Sequence, residues 1–67
     1  MSIIDFINLI RTEAAKIYLK NNTSSITEIA FIVGFNDVNY FSRVFKKATG
    51  LTPSQYRRKH SAGEEME

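Results

Sequence analysis

The chain has no cysteine among its 67 residues, so neither disulfides nor a cysteine-based metal site can support the fold. Its single histidine, His60, has no carboxylate pair spaced to join it on a metal. It is expected at the surface, and no metal or cofactor is expected. No run of ~20 apolar residues is present, which excludes a membrane-spanning helix. Met1 leads directly into a helical pattern containing Asp5, unlike a secretory leader, so a cytoplasmic location is expected. Strand-like alternation, internal repeats and low-complexity tracts are all missing. There is no glycine-rich phosphate loop and no Ser–His–Asp arrangement, so enzymatic activity is not expected. At this length a single domain forms; it buries only ~60% of its unfolded surface and should be marginally stable.

Acid is missing where base is concentrated. Residues 41–60 hold Arg43, Lys46, Lys47, Arg57, Arg58 and Lys59 without one carboxylate. Residues 1–60 carry nine basic and four acidic groups, a net +5, while three of the seven acids lie in the last seven residues. A positive region of this kind suits a polyanion. Those last residues, 61–67, have nothing to bury, and their composition predicts a disordered tail.

The most informative stretch is residues 25–47. Ile26, Ile29, Ala30 and Val33 recur at i, i+3, i+4 and i+7, as do Phe41, Val44, Phe45 and Ala48. Each set is one apolar stripe on a helix, predicted over residues 26–33 and 38–48. Helices this short must pack stripe to stripe to be stable. Gly34-Phe35-Asn36-Asp37 lies between them, and the pair reads as a helix-turn-helix. Gly34 supplies a positive φ for the first C-cap and Gly50 for the second. Asn36 or Asp37 caps the start of the second helix. At ~100° per residue, Ser42, Arg43 and Lys46 lie within about 60° of Asn39, opposite the apolar stripe. An amide, a hydroxyl, a guanidinium and an ammonium on one face suit base edges and phosphates.

Two further helices flank this pair. Ser2-Ile3-Ile4-Asp5 has a capping-box form and predicts a helix over residues 3–20. Its stripe is Ile3, Ile7, Ile10, Ala14 and Ile17, widened by Phe6, Leu9 and Tyr18. This is more apolar surface than the short downstream helices can obviously cover. The end formed by Ile3, Ile4, Phe6 and Ile7 therefore reads either as folded back on the domain or as a docking or self-association surface. The polar face (Asn8, Arg11, Thr12, Glu13, Lys16) is mixed in sign, which argues against a membrane-surface helix. Ser25-Ile26-Thr27-Glu28 is a second capping box. Thr52-Pro53-Ser54-Gln55 is a third, with proline at the first helical position, and predicts a helix over residues 53–59. Its basic end, Arg57-Arg58-Lys59, also suits a helix C-terminus. The fold class expected is all-α, a small bundle of about four helices.

From Ile26 to Tyr56 the chain closely resembles the AraC/XylS family of bacterial transcription regulators. The resemblance is carried by Ser25, Ile26, Glu28, Ile29, Ala30, Val33, Gly34, Phe35, Asp37, Tyr40, Phe41, Ser42, Arg43, Phe45, Lys46, Lys47, Gly50, Thr52, Pro53, Tyr56 and Arg57. The long first helix, with Arg11 and Ala15, resembles that family's linker helix. The resemblance implies a homeodomain-like helix-turn-helix over residues 1–60: the linker helix plus the second of two such subdomains, the first being absent from this chain. It implies double-stranded DNA as partner, with a recognition helix over residues 38–48 in the major groove. Carried over by position, Val38, Asn39, Ser42 and Arg43 face the bases, with Tyr40 and Lys46 near the backbone. Lys47, Arg11, Arg57 and Arg58 are expected to clamp flanking phosphates. Asn39 stands where the family most often has Ser, which bears on base preference rather than docking. The leading function is thus DNA binding as part of a transcription activator. The alternative is a protein-interaction or dimerisation module, meeting RNA polymerase or a second copy of itself.

Overall fold

The computed structural model describes residues 1–21 and 23–60; the predicted tail, 61–67, lies outside them. Four helices form: α1 Ile3–Asn21, α2 Ile26–Ile32, α3 Val38–Thr49 and α4 Pro53–His60. No strand occurs among the described residues. The all-α reading holds, with boundaries within a residue of those predicted.

The local start signals work as their residue types require. At α2, the Glu28 amide donates to Ser25 Oγ (3.1 Å) and the Ser25 amide to Glu28 Oε1 (3.0 Å). Thr52 and Gln55 make the same reciprocal pair at α4, at 2.9 and 3.2 Å. At α1 the Asp5 amide reaches Ser2 Oγ at 3.0 Å, with a looser return bond of 3.5 Å. Asp37, not Asn36, caps α3, accepting from the amides of Asn39 (2.8 Å) and Tyr40 (3.4 Å). Each such cap contributes ~1 kcal/mol.

The stop after α2 is a Schellman turn. The Phe35 amide donates to Ala30 O at 2.8 Å and the Gly34 amide to Phe31 O at 3.1 Å, with Gly34 at φ 111°. This pair of bonds satisfies carbonyls that the helix end leaves over. It also swings Phe35 back into the core, where it is buried.

Three elements converge on the two phenylalanines of α3. Phe41 and Phe45 are both 0% exposed, surrounded by Ala15 and Leu19 of α1, Ile29 and Ala30 of α2, and Phe35. The rings form a chain with offset and edge contacts: Phe35–Phe41 at 5.1 Å, Phe41–Phe45 at 5.8 Å, Phe45–Tyr56 at 5.3 Å. These are geometries that aromatic quadrupoles favour. Tyr56 brings α4 onto the core, and α1 lies across all three other helices. His60, expected as a plain surface residue, is half-buried with its ring 4.2 Å from that of Tyr56.

The packing of α1 corrects the predicted stripe. Its buried residues are Thr12, Ala15 and Leu19. Ile3, Ile10 and Ile17, seven residues apart, point away from the body and are 73%, 53% and 62% exposed. At 100° per residue the two sets lie on opposite sides of the helix. Ile4, Phe6 and Leu9 are exposed as well, and Ile7 is half-buried. The N-terminal end is therefore uncovered, and so is the stripe beyond it as far as Ile17. Ala48 is a smaller correction. Its spacing predicts a place on the apolar back of α3, but it is exposed, one turn past Phe45, at an open cleft between α1 and α3.

Thr12 is buried with no hydrogen-bond partner for its hydroxyl among the described residues. A buried unpaired hydroxyl is destabilising, and a methyl of similar shape removes that penalty. Thr12→Val is expected to raise unfolding stability by about 1 kcal/mol in urea titration. A loss of stability would mean that the hydroxyl is bonded after all.

Candidate nucleic-acid interface

The outer face of α3 is built by the burial of its inner one. With Phe41 and Phe45 pinned in the core, Asn39, Arg43, Lys46 and Lys47 are exposed and Ser42 is half-buried. The four-residue face anticipated from the helical wheel is thus brought together on the surface. Its cations are not spent on neighbours: among the described residues no carboxylate pairs with Arg43, Lys46 or Lys47, and the ion pair present, Lys16–Glu13 at 2.9 Å, lies on α1. The Asp37 carboxylate occupies the first-turn amides of α3 instead.

The remaining predicted contacts are placed differently. Val38 is half-buried and packs against the core, so little of it is available to a base. Tyr40 is partly exposed beside Asn39, and its hydroxyl accepts a hydrogen bond from Asn8 Nδ2 at 3.0 Å. Arg11 is half-buried at the turn, its guanidinium carbon 5.4 Å from the centre of the Phe35 ring. Arg11 and Arg43 border one polar pit with Gly34, Asn36, Asp37 and Tyr40. Arg57 Nε donates to Leu19 O at 3.3 Å, holding the C-terminal end of α1. Arg58 is exposed on α4.

Sequence reasoning missed the roles of Asn8 and Arg11 as bridges to α3 and the turn. The bonded pair Asn8–Tyr40 is separated by 32 residues, and no local pattern signals it. It also missed Phe31 and Ile32, exposed on α2 beside the buried Ile29 and Ala30. Among the described residues no helix is long and apolar enough to cross a membrane, and no group of three His, Asp or Glu side chains could hold a metal.

Comparison with known proteins agrees with this geometry. A model described as a helix-turn-helix domain matches residues 1–59. An uncharacterised HTH-type transcriptional regulator of Pseudoalteromonas carrageenovora is 50% identical over 50 residues, which cover 75% of this chain and 28% of that protein. The HTH-type transcriptional activator RhaR of Salmonella newport is 42% identical over 57 residues, covering 85% of this chain and 20% of RhaR. The solved C-terminal domain of AraT, a response regulator from Geobacillus stearothermophilus, superposes with a TM-score of 0.86 at 43% identity, over 91% of this chain and 50% of that one. The chain thus spans only a fifth to a little over a quarter of these curated relatives. Four capped helices, the Gly34 turn and these matches together show that the chain belongs to the AraC/XylS-type helix-turn-helix family of transcription regulators.

Proposed function

We propose that the chain binds double-stranded DNA by laying α3 in the major groove, as the C-terminal reading head of a larger cytoplasmic regulator. The observation that carries this is the polarity of α3: Phe41 and Phe45 are wholly buried, while Asn39, Arg43 and Lys46 are exposed with no carboxylate among the described residues paired to them. Arg43 is the strongest candidate for a guanine edge and Asn39 for an adenine edge. Ser42 adds a hydroxyl that accepts either, and Val38 contributes at most an apolar edge. Lys46, Lys47 and Arg58 are exposed and offer cations for flanking phosphates, while Tyr40 is partly exposed in the first turn of α3 and Arg57 is half-buried, donating to Leu19 O.

Titration of selected and scrambled duplexes at several salt concentrations tests this. Arg43→Ala is expected to cost about 1–3 kcal/mol on the selected duplex and to relax discrimination. Lys47→Ala should weaken both duplexes equally and lower the slope of log K against log salt by about 1. Binding indifferent to salt, or unchanged in Arg43→Ala, would overturn the proposal.

A second, compatible reading concerns α1. Its outward stripe of Ile3, Ile10 and Ile17 is a surface for more protein, supplied by the rest of the regulator, by RNA polymerase or by a second copy. Light scattering separates these. A self-associating parent weighs more than the 7.7 kDa chain, and Ile10→Asp returns it to that mass. A parent already at the single-chain mass excludes the second copy.

A further inference from the structure

Two side chains of α1 grip the start of the reading helix from behind. Asn8 Nδ2 donates to Tyr40 Oη at 3.0 Å, and Tyr40 sits in the first turn of α3, next to Asn39. One helical step along the same face of α1, Arg11 places its guanidinium 5.4 Å from the Phe35 ring. It also lies so close to the turn that a Cβ on Gly34 would come within 2.8 Å of Arg11 Nε. Phe35 in turn meets the Tyr40 ring edge-on at 5.8 Å. Asn8 and Arg11 therefore hold one aromatic unit, Phe35 with Tyr40, from which α3 begins.

The rest of α3 is held by Phe41 and Phe45. Apolar burial is non-directional: it sets the depth of a helix more firmly than its slide or rotation. A hydrogen bond and a guanidinium held over a ring face are directional. The polar ties at the N-terminal end thus supply the orientation that the greasy back cannot. Base readout through a forked side chain depends on that orientation.

We propose that Asn8 and Arg11 are positioning residues of the DNA-reading face, acting through Tyr40 and Phe35 rather than by touching nucleic acid. This rests on the DNA-binding reading above, and it turns Arg11 from a phosphate ligand into a brace for the turn.

Asn8→Ala and Arg11→Lys test it. Lysine keeps the charge but not the guanidinium that lies over Phe35. Both variants should keep a cooperative thermal transition. Affinity for a duplex selected from a random-sequence library is compared with that for a scrambled duplex, across salt concentrations. Both variants should lose about three- to tenfold of the selected-to-scrambled ratio, on the scale of a weakened base contact, with the parent's salt slope. In the free protein, amide chemical shifts of residues 34–43 should move in both. An Arg11→Lys variant with the parent's ratio, beside an Arg11→Ala variant whose salt slope falls by about 0.9, would identify Arg11 as a phosphate ligand and overturn the proposal. Unmoved amides in both variants would overturn it too. A parent that prefers no duplex would instead sink the DNA-binding reading, and the functional part of the proposal with it.

Discussion

Phe41→Ala is expected to leave this domain largely unfolded at 37 °C. Phe41 is fully buried, with its ring between those of Phe35 and Phe45. Truncation removes its transfer energy and opens a cavity where α1, α2 and the turn converge, a loss of about 3–5 kcal/mol. A domain of this size has only ~3–10 kcal/mol in total, from ~0.05–0.15 kcal/mol per residue. With no cysteine in the chain, no disulfide compensates. Phe31→Ala is the matched control: the same deletion at a residue 54% exposed on α2, expected to change stability by no more than ~0.5 kcal/mol. Circular dichroism during thermal and urea unfolding measures both. Equal effects of the two substitutions would show that the core is not where the structure places it.

Gly34→Ala is expected to cost about 2–4 kcal/mol, combining a strained backbone with a displaced side chain. At φ 111° the residue occupies a region that side chains with a Cβ rarely adopt, and the added carbon would meet Arg11 Nε at 2.8 Å. Gly50→Ala isolates the first effect. Gly50 also has positive φ, 85°, but open space where the Cβ would go, so it should cost only about 1–2 kcal/mol. A drop of ~4–8 °C in melting temperature per kcal/mol in a domain this small makes the difference measurable. The cycle with Arg11→Ala separates the terms. Removing the guanidinium should recover part of the Gly34→Ala loss and none of the Gly50→Ala loss. Additivity at both glycines would mean that Arg11 does not lie against the turn.

The same contrast between backbone and environment runs through what could be read in advance. Helix starts were legible because a capping box is a contract between residues three apart: Ser25 with Glu28, and Thr52 with Gln55. The stops at Gly34 and Gly50 were legible because positive φ singles out glycine. The polarity of α3 was legible because its apolar back finds its partners within this chain. The face of α1 was not. Hydrophobic periodicity locates the richest stripe, and on α1 that stripe is Ile3, Ile10 and Ile17, which the described residues leave uncovered. The face that packs carries Ala15 and Leu19 as its fully buried apolar residues, together with a buried threonine and the partly buried Tyr18. Its small Ala15 suits close approach to three other helices but contributes little to any periodicity.

By itself, then, the amino-acid order determined the four helices, their ends and the one-sided chemistry of the third, because each depends on neighbours a few positions apart. The tertiary structure alone decided which side of α1 is buried. It also took most of Val38 into the core, seated Arg57 on Leu19 O and brought Asn8 and Arg11 against the start of α3 and its turn. Those outcomes depend on the surface left after distant segments have packed, and a helix presents polar and apolar side chains without specifying which neighbour will meet them.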